Sequence, residues 1–177
     1  MRRFGMFFFF LIIFLLWNVS VVVAQFFEAG VQKLETPVEA PNFMLKEIGG
    51  RKISLKEFRG KVVLVNFFSP SCSLCQKQAS SFDKLDEVIK SKDVVFLSVA
   101  VEGKEKDLLK YKEKFNLSVP ILIDENGSVA KAYRIRGHHE TFFIDRKGKI
   151  VGKTFAEKDW TSPNMRNLIQ YLLREGG

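Results

Sequence analysis

The chain has 177 residues, 46% hydrophobic and 27% charged, which suits one folded domain with an N-terminal addition and excludes a disordered chain. Its two cysteines exclude a disulfide-stapled mini-protein, so any bridge is a single one. The formal charge of +8 comes without a basic stripe interleaved with aromatics or a nucleic-acid motif, so nucleic acid is not expected as a partner and the lysines read as a solvated surface.

Residues 1–24 open with Arg2 and Arg3 and continue as a run dominated by Phe, Leu, Ile and Val. A positive start before an apolar stretch reads as a signal peptide, with Val22-Val23-Ala24 before Gln25 as a tolerable cleavage site. An N-terminal membrane anchor is the alternative, because about 20 apolar residues suffice to cross a bilayer. Both readings leave the positive end inside and put the rest of the chain on the far side of the cytoplasmic membrane, periplasmic or otherwise extracytoplasmic, secreted or anchored. Residues 25–40 show no sustained period and include Pro37, so they read as a linker, with the folded domain over 41–177.

From residue 41 strands and helices alternate. Phe43 to Leu55, folded about Gly49-Gly50, reads as a hairpin, with Met44 expected in the core and a short helical turn ending at Gly60. Val62 to Phe68 is an apolar run of strand length, rich in β-branched and aromatic residues, as a central strand buried on both faces requires. A helix begins near Cys72, with Leu74, Phe82, Leu85, Val88 and Ile89 mostly three or four apart. Val94 to Val101 reads as a second buried strand, Lys104 to Phe115 as a charged helix, Ile121 to Ile123 as a short strand and Val129 to Tyr133 as a short helix. Thr141 to Ile144 and Lys149 to Thr154 form a hairpin around Asp145-Arg146-Lys147-Gly148. The last helix starts at Ser162-Pro163, a capping serine followed by proline at the first helical position. The order β-β-(short α)-β-α-β-α-β-(short α)-β-β-α implies an α/β domain, a mixed sheet covered by helices.

Cys72-Ser73-Leu74-Cys75 sits where a buried strand meets a helix. A thiolate there is stabilised by unpaired backbone N–H groups and the helix dipole, so Cys72 is the expected nucleophile. Cys75, one turn further in, is placed to resolve a mixed disulfide. A zinc half-site lacks a second Cys pair. A structural disulfide closing so short a loop restrains little chain entropy.

Ala40-Pro41-Asn42-Phe43, Gly50-Arg51-Lys52-Ile53-Ser54-Leu55, the run Phe58 to Phe68, the Cys pair and Glu140 to Ile150 together resemble the TlpA/ResA-type branch of the thioredoxin superfamily. The resemblance implies a thioredoxin fold with a central mixed β-sheet flanked by helices, an N-terminal β-hairpin and a central insertion. It implies a thiol–disulfide oxidoreductase with Cys72 and Cys75 as its redox-active disulfide and no further cofactor. Its expected partners are exported proteins carrying disulfides, such as apocytochrome c or other metalloprotein precursors, and a membrane-embedded thiol reductant as electron donor.

The chain departs from that pattern around the Cys pair. Ser71 stands where the family usually has Trp, Gln78 where it has Glu, Ser80 where a Pro often follows, and His139 where it has a cis-Pro in the loop that faces the sulfurs. Gln78 cannot exchange a proton. A cis bond before a residue other than proline costs about 3–4 kcal/mol, so a trans bond and a reshaped loop are expected at His139. Gln78, His139 and Glu140 are the candidates for substrate-loop or thiol-tuning roles. His139 either tunes the thiols or shuttles a proton. Alternatively Cys72, Cys75 and His139 form a three-ligand site suited to copper or zinc, as in a copper metallochaperone, or His139 merely occupies its loop. His138 is a weaker candidate for the same roles.

Overall fold

The computed structural model describes residues 23–155 and 158–175. Apart from residues 23 and 24, the signal-peptide or anchor segment 1–24 lies outside them. Among the described residues no helix is long and apolar enough to cross a membrane.

The elements run α1 (residues 23–28), β1 (Gln32–Glu39), β2 (Met44–Glu47), β3 (Lys52–Ser54), a 3-10 turn (Leu55–Phe58), β4 (Val62–Phe68), α2 (Ser73–Ile89) and β5 (Val94–Ala100). They continue with α3 (Glu105–Phe115), β6 (Ile121–Ile123), α4 (Ser128–Ala132), β7 (His139–Ile144), β8 (Lys149–Thr154) and α5 (Pro163–Glu175). The strands form one sheet in the order β1-β8-β7-β4-β5-β6-β2-β3. β4 pairs in parallel with β5 and antiparallel with β7, so the sheet is mixed, as expected. The β2–β3 hairpin forms one edge, and α3 with β6 is the insertion between β5 and the α4–β7–β8–α5 half.

β4 is apolar throughout most of its length because both its faces are covered. Val62, Leu64, Val65 and Phe67 are completely buried. Burying a side chain of that size is worth about 1.5–3 kcal/mol, so this strand anchors the sheet. Its even-numbered residues Val62 and Leu64 pack with Phe82 of α2, Phe143 of β7, Leu168 of α5 and Trp160 in the turn before α5. Its odd-numbered residues Val63, Val65 and Phe67 pack on the other face with Phe43, Tyr133 and Phe142. The caps agree with the sequence: Ser54 and Glu57 make a reciprocal capping box on the 3-10 turn. The Ser162 hydroxyl accepts the Met165 N–H at 3.3 Å at the start of α5.

Segment 25–40 is not a linker. α1 inserts Phe26 into the core, Ala29 and Val31 follow it, and β1 pairs antiparallel with β8 along the sheet edge. Periodicity could not show this, because β1 is largely exposed along its length. Gly152 of β8 accommodates Phe26, since a Cβ there would lie 2.8 Å from the Phe26 ring. Met44 also differs from expectation: it lies on the outer hairpin and is 66% exposed, its side chain on the face of β2 that has no partner. Phe26→Ala is expected to destabilise the domain by about 3–5 kcal/mol in denaturant unfolding, the cost of emptying a core phenylalanine site; a linker residue would leave the midpoint unchanged.

Candidate active site

β4 ends at Phe68, and Ser69-Pro70-Ser71 turns the chain into α2. Cys72 is the N-cap of that helix, in extended conformation, and its Sγ accepts the Cys75 N–H at 3.2 Å. The Cys72 sulfur therefore satisfies an otherwise unpaired N–H of the first helical turn. Cys72 is partly exposed; Cys75 is buried at 3% exposure. Both are free thiols.

The opposite wall is the start of β7. In the β4–β7 register Phe68 faces His139, so the two strands end together beside the first turn of α2. The sulfurs of Cys72 and Cys75 and an imidazole nitrogen of His139 all lie within 4.8 Å of one another. The Cys75 thiol donates to the His138 carbonyl at 2.7 Å. No cis peptide occurs among the described residues, so the bond before His139 is trans, as expected for a non-proline. The loop thus offers the sulfurs one carbonyl and one imidazole.

Burial pushes the Cys75 thiol up to about 12, and its hydrogen bond with Cys72 adds to the rise. Tyr111, on α3, packs its ring 5.1 Å from that of Phe68 and donates its hydroxyl to the Cys75 carbonyl at 3.3 Å. Burial raises its phenol as well. The sequence predicts the charged helix that carries Tyr111 but gives no sign that this helix folds over the second cysteine. The His138 carbonyl was equally invisible, because backbone groups carry no residue signature.

Two candidates are not brought to the sulfurs. Gln78 is buried, and its Oε1 accepts the Trp160 indole N–H at 3.0 Å. Its side-chain oxygen is thereby tied to the packing of α2 against the C-terminal segment. Glu140 follows His139 on β7, and strand alternation turns it to the opposite face of the sheet. There it is 1% exposed, and Oε1 accepts the Arg136 N–H. Its Oε2 has no hydrogen-bond partner among the described residues.

Ser71 fills the position before the first cysteine with a polar tether. Its hydroxyl donates to Glu102 at 2.5 Å, and the buried Ser69 hydroxyl donates to the same oxygen. These bonds, Ser69 foremost, hold the Glu102 carboxyl below the usual range. The turn is thus fixed without an aromatic lid, and Cys72 stays accessible from that side.

This asymmetry predicts graded thiol reactivity. At neutral pH one equivalent of iodoacetamide should label Cys72, with Cys75 labelled only on unfolding; equal rates at both would contradict the burial. The raised Cys75 value favours the fold while the thiol is protonated. As pH climbs past the unfolded value near 9.0 the unfolded chain ionises first, so this contribution drains away up to about 12. Reduced protein should lose stability over that window more steeply than Cys75→Ala.

Comparison with known proteins agrees with this geometry. The AhpC/TSA family profile matches residues 37–153. The thiol-disulfide oxidoreductase ResA of Geobacillus thermodenitrificans is 33% identical over 123 residues, covering 68% of this chain and 71% of that protein. The thioredoxin-like protein YneN of Bacillus subtilis is 32% identical over 136 residues, covering 76% and 77%. A crystal structure of a thiol:disulfide interchange protein DsbE from Chlorobium tepidum superimposes with a TM-score of 0.72 at 22% identity, over 79% of this chain and 99% of that one, which shows the thioredoxin-like fold. The chain belongs to the AhpC/TSA family and stands within it among the thioredoxin-fold thiol–disulfide oxidoreductases similar to ResA.

Proposed function

We propose that the chain reduces disulfides of proteins outside the cytoplasmic membrane, with Cys72 as nucleophile and Cys75 as resolving thiol. The observation that carries this reading is the Cys72 sulfur, partly exposed at the mouth of α2 and bonded to the Cys75 N–H, with the Cys75 sulfur held beneath it. The Arg2-Arg3 start and the apolar run behind it support export, either as a cleaved leader or as an anchor.

The exchange runs in two steps. The Cys72 thiolate attacks one sulfur of the substrate disulfide, and the other substrate sulfur leaves as a thiolate. Cys75 then gives up its proton and attacks the Cys72 sulfur, releasing the second substrate thiolate. The protein ends as the Cys72–Cys75 disulfide, two electrons having passed to the substrate, whose thiolates take up the protons. Gln78 cannot act as the base and Glu140 faces away, while a ring nitrogen of His139 lies within 4.8 Å of the Cys75 sulfur, which supports His139 as the acceptor of the Cys75 proton once the thiol leaves the His138 carbonyl. A membrane-embedded thiol reductant would return the dithiol to its reduced form. Substrates such as apocytochrome c or other metalloprotein precursors, whose paired cysteines must be reduced before they take up their cofactor, fit this chemistry.

Trapping tests the assignment. Cys75→Ser should accumulate mixed disulfides through Cys72 in intact cells, resolved by non-reducing electrophoresis and mass spectrometry, while Cys72→Ser accumulates none. A membrane-impermeant maleimide should label Cys72 without lysis. Absence of mixed disulfides in Cys75→Ser would overturn the exchange mechanism, and labelling only after lysis would overturn the location.

A further inference from the structure

The same corner of the molecule holds more than an electron pair. Two sulfurs and an imidazole nitrogen converge within 4.8 Å, from two elements, the start of α2 and the start of β7, fixed independently of each other. Cys72 is set by capping α2, Cys75 lies one turn into that helix, and His139 is set by the β4–β7 ladder. No side chain has to travel far for all three to meet a single ion.

The number of donors and their surroundings favour one ion. Two thiolates and an imidazole are soft to intermediate ligands, and three of them match the low coordination number of Cu(I). Zn(II) favours four protein ligands in a closed site or three with a bound water. On its inner side the site meets Phe68, Ala79 and Leu117, which pack around the cysteines and offer a hard, hydrated cation nothing. On its outer side Cys72 and His139 remain partly exposed, leaving a path by which a ligand of another protein can approach the ion.

We infer that the reduced protein binds one Cu(I) ion through Cys72 Sγ, Cys75 Sγ and an imidazole nitrogen of His139. Binding replaces the two thiol protons, which pass to solvent, and leaves copper in its +1 state, so no electron moves. Because the ion occupies both sulfurs, copper-loaded protein cannot attack a disulfide, and oxidised protein cannot hold copper. The inference needs the reduced sulfurs and the histidine together. It does not depend on the protein acting as a reductase.

The test is an anaerobic titration of the full-length reduced protein with Cu(I) against a chromogenic Cu(I) chelator, followed by X-ray absorption of the complex. A 1:1 complex with two sulfur neighbours and one nitrogen neighbour is expected. Loss of an outer-sphere partner already costs 10–100-fold in metal affinity at many sites, so His139→Ala and His139→Gln, losing a direct ligand, should each weaken binding by about tenfold or more. Both should lose the nitrogen neighbour. Cys72→Ser should weaken binding further. Thermal melts of the variants exclude unfolding as the cause. No copper retained against the chelator, unchanged affinity and coordination in the two His139 variants, or preferential loading with Zn(II) would each overturn the inference. The trapping experiment reads Cys72 attack alone, so the two proposals fail separately.

Discussion

The pairing of β4 with β7 is the constraint on which the rest depends. Phe68 opposite His139 closes the ladder at the point where β4 hands over to α2. Residues distant in sequence are thereby fixed across a strand spacing of about 4.8 Å. Side chains alternate along a strand, so a slip of one residue would turn His139 away and bring Glu140 toward the sulfurs. The register is held by burial: Val63, Val65 and Phe67 fit one core, Val62 and Leu64 another, and no shifted pairing satisfies both.

That division of faces explains which chemistry reaches the cysteines. On the face covered by α2 stand His139, Thr141 bonded to Asn66 at 3.0 Å, and the two thiols. On the other face Glu140 and Tyr133 carry buried oxygens without partners among the described residues, within an aromatic cluster of Phe43, Phe67 and Phe142. A carboxylate one residue from the site thus points to the other face of the sheet, while a backbone carbonyl at His138 makes direct contact with Cys75.

Most of the fold was legible in the sequence where periodicity was strong. The buried run of β4, the apolar stripe of α2, the capped start of α5 and the hairpin turns all appear close to their expected places. The Cys pair and His139 were found because their residue types signal chemistry. The rest lay in contacts of long range. Nothing local distinguishes Phe26, or the exposed strand after it, from a linker. Met44 looked like core because hydrophobicity does not say which face of an edge hairpin is covered. Gln78 read as a candidate for thiol tuning because its partner, Trp160, is supplied from the far end of the chain. Glu140 was misplaced by one step of strand alternation.

Phe26 sets the domain's reach. It is locked against the sheet two residues after Ala24, and both residues lie in α1, where the chain rises only about 1.5 Å per residue. A leader retained in the lipid as far as Ala24 would therefore leave a leash of roughly 3 Å, too short for the domain to swing or search. The dithiol would ride at a nearly constant height above the bilayer, and its clients would have to come to it. If the leader is cut after Ala24, the new amino terminus lies beside the core wall, and the freed domain diffuses without a tail.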